Sequence, residues 1–175
     1  MIPPEKIVLF EGLLSNPPNF EGLGRFLTEI WPKIIEKHPE TRLRVAGHGL
    51  QAEQREKWSK IPQVELLGFV SDLVAEYNQS RAVIVPIYTG SGTNIKVLEA
   101  MQMGRPCVIT NFAAKGFETL LQDGKNILIA QNDAEFAQKL QKLLENHDIS
   151  AQIAKKDIQT QLKSIPFDAI LSKFL

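Results

Sequence analysis

Six short apolar runs recur along the chain, at residues 7–10, 43–46, 64–67, 82–87, 107–110 and 127–130, with longer amphipathic stretches between them. Most are rich in Val, Ile and Leu and do not alternate with polar residues, which is the pattern of strands covered on both faces in a parallel sheet. Parallel neighbours need a crossover of about a dozen or more residues, and the intervening segments supply it at helical spacing. Across residues 20–37, Phe26, Ile30, Ile34 and Ile35 share one side of a helix that Pro32 should kink or divide. Asn132 and Glu135 have the spacing of a capping box ahead of Phe136, Leu140, Leu143 and Leu144. The expected fold is therefore α/β: a doubly wound, Rossmann-like parallel sheet of about six strands with helices on both faces. After about Ala130 the pattern predicts helices only, a C-terminal tail ending in a short segment at residues 167–175.

At 175 residues, read here as a single domain over 1–175, the chain can bury about 70% of the surface its unfolded form exposes. Lys+Arg and Asp+Glu are equal at 20 each, so there is no charge excess to mark a nucleic-acid or anionic-membrane surface. The lone Cys107 excludes an internal disulfide framework and a multi-cysteine metal site, and its place inside a strand suggests a buried, unreactive thiol. No apolar run approaches the roughly 20 residues of a membrane span. The polar start at residues 1–6 lacks the features of a signal peptide, so a soluble, cytoplasmic protein is expected.

In such a sheet, ligands sit beyond the carboxyl ends of the strands, where strand-to-helix turns present free backbone N–H groups. The most informative turn follows the fourth run: Gly90-Ser91-Gly92-Thr93, opening a helix that ends near Gly104. Its glycines allow close backbone approach, and Thr93 is the expected N-cap. The N–H groups of Thr93, Asn94 and Ile95 and the helix dipole suit a phosphate, to which Lys96 would add a full charge. Glu99, one turn past Ile95, suits a ribose diol because a carboxylate accepts from two hydroxyls. The plainer account is a glycine turn with Lys96 and Glu99 paired at i,i+3.

The run from Gly90 to Pro106, Gly-Ser-Gly-Thr-Asn-Ile-Lys-Val-Leu-Glu-Ala-Met-Gln-Met-Gly-Arg-Pro, resembles the donor-site motif of family 4 (group 1) glycosyltransferases. Glu99 matches the second glutamate of that family's E-x7-E motif. Similarity extends to Phe10-Glu-Gly12 with Pro18-Asn19, to Val45-Ala-Gly-His-Gly49, to Gly68-Phe-Val-Ser-Asp72 and to Pro166-Phe-Asp-Ala-Ile170. The resemblance implies the C-terminal, nucleotide-sugar-binding half of a GT-B enzyme, with an N-terminal acceptor-binding domain absent from this chain. Such enzymes transfer a sugar from a nucleoside diphosphate with retention and without a metal or other cofactor; the isolated half should bind donor weakly and transfer nothing. Carried over, the substrate-binding set is Gly12, Gly47, Gly49, Phe69, Val70, Gly92, Thr93, Asn94, Lys96 and Glu99. In it Gly47 and Gly49 give room for the donor and Phe69 and Val70 meet the base. Two departures stand out. Ser91 occupies the place of the motif's first glutamate, and residues 13–19 lack the Arg and Lys that clamp the diphosphate in many members. Lys96 is then the best-placed cation, with Arg25 second.

A competing motif is Gly47-His-Gly-Leu-Gln-Ala52, which fits the dinucleotide fingerprint G-x-G-x-x-G/A, with Asp72 about 20 residues on. It would make the chain a nicotinamide or flavin oxidoreductase domain, but it follows the second strand rather than the first. Ser71 is the expected cap of a helix at residues 72–79. Phe69 or Val70 can serve as a hydrophobic staple as well as a base contact. Residues 111–118 should lead into a further helix, with Lys115 in an exposed loop. His38 and His147 are expected at the surface beside helix ends, and His48 in a turn. A non-catalytic nucleotide-binding or interaction domain, and an epimerase of the same fold, remain as alternatives.

Overall fold

The computed structural model describes residues 1–154; the segments expected at 166–170 and 167–175 lie outside them. All six strands form, in the order β3-β2-β1-β4-β5-β6, and every pair is parallel. They are β1 (Ile7–Glu11), β2 (Arg42–Ala46), β3 (Val64–Gly68), β4 (Ala82–Val85), β5 (Cys107–Thr110) and β6 (Leu128–Ala130). The helices are α1 (Pro17–Arg25), α2 (Trp31–Lys37), α3 (Ala52–Ser59), α4 (Leu73–Gln79), α5 (Ile95–Gln102), α6 (Asp133–Glu145) and α7 (His147–Ile153).

The non-alternating runs are explained by two cores, one on each face. Val8, Phe10, Ala82, Ile84 and Val108 point into one, beneath α1, α2 and α6; Leu9, Val83, Val85, Cys107 and Ile109 point into the other, beneath α4 and α5. With successive side chains on opposite faces, a strand buried on both must be apolar throughout. Pro32 does divide its helix. A π-helical turn, Phe26–Ile30, joins α1 to α2, closed by the Trp31 N–H bonding back to the Phe26 carbonyl. The wider turn absorbs the donor that proline lacks and the clash its ring would make. Phe26, Ile30 and Ile34 are fully buried as expected, whereas Ile35 is only partly so.

At the start of α6, Asn132 Oδ1 accepts from the Glu135 N–H at 2.9 Å, while the Glu135 carboxylate reaches back to the Gln131 N–H at 2.9 Å, one residue earlier than a standard capping box. Two local expectations fail. Asp72, not Ser71, caps α4, accepting from the Ala75 N–H at 2.9 Å, because the helix starts one residue later than predicted. No helix forms between β5 and β6: residues 111–120 fold as successive turns pinned by the Thr110 hydroxyl, which accepts from the Ala113 N–H and donates to the Ile87 carbonyl. Among the described residues no helix is long and apolar enough to cross a membrane.

Candidate functional site

Strand order reverses direction between β1 and β4, and the turns leaving these strands splay apart there to open a cleft. Its floor begins at Gly12. The Gly12 N–H donates to the Ala46 carbonyl at 3.0 Å and the Gly47 N–H to the Gly68 carbonyl at 2.8 Å, so the three turns after β1, β2 and β3 are bonded side by side. A Cβ on Gly47 would stand 1.9 Å from the Gly12 carbonyl oxygen, and one on Gly49, whose φ is +90°, would stand 2.8 Å from the Ser15 nitrogen. These two glycines therefore serve close packing between turns, and Gly47 also lines a smaller hollow beside the cleft. The same packing takes both glycines of the dinucleotide fingerprint, which follows β2 rather than the central β1, and Asp72 is spent as a helix cap.

The turn from β4 to α5 is built differently. Gly90 packs against Pro18 with φ at +117°, but a Cβ on Gly92 would meet nothing within 4 Å. Ser91 and Gly92 are exposed. The N-cap is Asn94 rather than Thr93, with no side-chain capping bond, and the Ile95 N–H is turned onto the Thr93 carbonyl at 3.0 Å. One of the three N–H groups expected to face a phosphate is thus already engaged. The helix begins one residue late because Thr93 carries on the loop.

Lys96, in the first turn of α5, reaches across to β1. Its Nζ donates to the Asn19 Oδ1 at 2.7 Å and to the Glu11 carbonyl at 3.0 Å, and it lies 5.4 Å from the Phe10 ring centroid. Asn19 is buried and in turn donates to the Leu13 carbonyl at 2.9 Å. Burial pushes the Lys96 pKa below the ordinary lysine value, with Glu11 and Glu99 opposing. Two of the three ammonium donors are committed, leaving one for an incoming group. Glu99 is half-buried on the same side of α5. Glu11, half-buried at the end of β1, has its pKa pushed up by burial, with Lys96 opposing and Glu99 adding to it.

The turns enclose a cavity of about 580 Å³ that takes in Gly12, Asn19, Ser91, Gly92, Lys96 and Glu99. A smaller hollow of about 190 Å³ lies beside it, between His48, Gly68, Phe69 and Val70. The two meet at Glu11, Gly12 and Leu13. Phe69 is 76% exposed and stacks on His48 with ring centroids 6.3 Å apart, while Val70 leans on the core; Phe69 is left as an open aromatic face rather than a staple.

Other candidates lie elsewhere. Arg25 is not at the cleft: its Nε donates to Asp133 at 2.9 Å and its guanidinium covers the Tyr88 ring at 4.2 Å, in a separate pocket near Asn111 and Phe112. Lys115 is exposed and lies over the Phe112 ring. Cys107 is fully buried, and burial raises its thiol pKa. His147 is exposed as expected, but His38 is buried, bridging Lys6 at 3.1 Å and Glu145 at 3.0 Å.

Glu11 and Asn19 fall within segments singled out in the sequence, yet neither is among the expected site residues. The available signal was a glutamate ending an otherwise apolar run, a place where the strand leaves the core and a charge must face a crevice or solvent.

Residues 5–146 match the family model described as glycosyl transferases group 1. A protein of Haemophilus influenzae described as an uncharacterized glycosyltransferase is 27% identical over 157 residues, covering 86% of this chain and 43% of its own length. Among solved structures, TarM of S. aureus aligns with a TM-score of 0.78 at 20% identity, over 99% of this chain and 35% of that one. HepE of Anabaena, solved with UDP and glucose, aligns at 0.72 and 19%, over 91% of this chain and 44% of that one. The chain spans less than half the length of the curated relatives it matches. Family model and shared fold agree with the cleft at the strand ends: this chain belongs to the group 1 glycosyl transferases.

Proposed function

We propose that the chain is the donor-binding half of a retaining, metal-independent hexosyltransferase. It would hold a nucleoside diphosphate sugar across the cleft while a separate N-terminal domain supplies the acceptor. One observation carries this reading: a single half-buried ammonium, Lys96, is fixed beside an unobstructed glycine turn at a helix start, in a cavity that continues toward an exposed aromatic face. A nucleoside diphosphate sugar has the matching shape, with a planar base at one end and a dianionic diphosphate between the ribose and the sugar. HepE, with the same fold, is solved in complex with UDP-glucose, which supports placing such a donor here.

In this reading Thr93, Asn94 and Lys96 meet the diphosphate and Glu99 accepts from the ribose. Phe69 and Val70 border the base, Gly92 leaves the space the donor occupies, and Ser91 lies near the sugar. As the glycosidic bond breaks, negative charge grows on the β-phosphate. The α5 N-terminus and Lys96 answer it with preorganised charge, the role a divalent ion fills elsewhere. Without the acceptor domain, the chain binds donor weakly and turns nothing over.

Thermal unfolding in the presence of UDP, GDP and UDP-glucose tests this. A ligand at about 100 times its Kd adds about 2.7 kcal/mol of stability. At least one nucleotide should raise the melting temperature, and Glu99→Ala should remove that rise. No shift with any of them at millimolar concentration would sink the proposal, and an unchanged shift in Glu99→Ala would move the ribose elsewhere.

A further inference from the structure

The larger cavity and the smaller hollow join at Glu11, Gly12 and Leu13, and the donor reading gives the Glu11 side chain no role. Resting on the donor reading above, we infer that Glu11 is a second ribose-recognising group, facing Glu99 across the sugar, and that it makes the site selective for ribonucleotides over 2′-deoxyribonucleotides. Three observations converge on it.

The first is position. A molecule that puts its base beside Phe69 and Val70 and its diphosphate beside Thr93 and Lys96 must lay its ribose over the junction, and Glu11, Gly12 and Leu13 are the residues common to both cavities. Gly12 has no side chain to offer and Leu13 offers only an apolar one, so Glu11 is the polar side chain there.

The second is that Glu11 is uncommitted. Its carbonyl holds Lys96, but among the described residues no hydrogen bond engages its carboxyl group. The side chain of Glu99 is likewise without a hydrogen bond among the described residues, and each of the two carboxyls lies within electrostatic range of Lys96. A half-buried carboxyl left without a partner is costly, and a ligand hydroxyl would relieve that cost.

The third is Tyr77, on α4. It is only 2% exposed, its hydroxyl has no hydrogen-bond partner, and it lies within electrostatic range of both Glu11 and Glu99. That hydroxyl is a buried polar group left unpaired within the electrostatic neighbourhood of two carboxyls that themselves lack hydrogen bonds among the described residues.

The chemistry divides cleanly between the two acids. Burial pushes the Glu11 pKa up, with Lys96 opposing and Glu99 adding to it; a carboxyl there can accept from a ribose hydroxyl and, when it carries a proton, donate as well. The Glu11 carboxyl can pair with the ribose 2′ hydroxyl while Glu99 accepts from the 3′ hydroxyl.

Titration calorimetry of the chain with paired ribo and 2′-deoxy forms of UDP and GDP tests this. The wild-type chain should bind the ribo form of its preferred nucleotide about tenfold more tightly than the deoxy form, the size of one good hydrogen bond. Glu11→Ala should weaken the ribo form about tenfold, leave the deoxy form nearly unchanged, and so erase the preference. Glu11→Gln, which keeps the shape and both hydrogen-bonding functions, should retain the preference to within about threefold, and it carries the test if the alanine variant does not fold. Equal loss for both forms in either variant, or a ribo preference that survives Glu11→Ala, would overturn the role of Glu11 while leaving the donor site intact. Failure of the wild-type chain to bind any of the four would instead overturn the donor reading itself.

Discussion

Lys96 is held in place by its neighbours, and Asn19 is the holder. One face of the Asn19 amide accepts from the lysine and the other donates to the Leu13 carbonyl, so the side chain ties the α5 helix to the loop after β1. This tie stands where many members of the family place basic residues of their own. It means that the cleft's cation comes from α5 and its position from the β1–α1 loop. Two substitutions separate holding from charge. Asn19→Ala leaves the ammonium and the Leu13 carbonyl each short of a partner, and should cost about 1–3 kcal/mol of stability together with donor affinity. Asn19→Asp keeps an acceptor for Lys96 but neutralises it and sets a carboxylate oxygen against the Leu13 carbonyl, so the chain should lose stability as Asn19→Ala does while its affinity for a nucleoside diphosphate falls further, tenfold or more. Denaturation and titration of both variants check this. Undiminished binding in Asn19→Asp would show that Lys96 does not serve the phosphates.

Elements were more legible than single residues. Each strand lies within about two residues of its apolar run, because burial on both faces leaves a signal that needs no knowledge of neighbours. The helix expected after β5 did not form, since the Thr110 hydroxyl supplies a turn-stabilising bond that apolar spacing cannot reveal. Glu11 was equally hidden: its meaning depends on β1 lying between β2 and β4, and that is a property of the sheet order. Glycines show the same limit, because sequence cannot tell a glycine that admits backbone from one that admits ligand. A Cβ on Gly22 in α1 would stand 2.0 Å from the Pro86 carbonyl oxygen, whereas one on Gly92 would touch nothing. Gly22→Ala should therefore push α1 away from the β4 exit and destabilise the fold by about 3 kcal/mol, with donor affinity lost along with the fold. Gly92→Ala should melt like the wild type and still bind donor several-fold more weakly. Comparing melting temperature and nucleotide affinity in the two variants decides the matter; a Gly92→Ala chain that binds normally would place the donor away from that turn.

For the whole molecule, the sheet order brings together segments far apart in sequence. The cleft draws on the exit of β1, the start of α1, the turns after β2 and β3, and the β4–α5 turn, while residues 111–126 lie beyond β5. With equal numbers of acidic and basic residues, the chain has no net field to attract a diphosphate, so recognition must come from local groups. A donor that spans the cleft then has a definite signature in amide hydrogen exchange. Nucleotide binding should slow exchange in three separate segments at once: around residues 11–19, around 68–70, and across 89–96. Residues 111–126 should exchange as in the free protein. The three must respond together because one ligand bridges turns on both sides of the β1–β4 reversal. Protection confined to 89–96 would mean that only a phosphate is held, at the helix start. Protection confined to 68–70 would mean stacking on Phe69 without the diphosphate. Only coordinated protection of all three fits a nucleoside diphosphate lying across the sheet, with its ribose over Glu11.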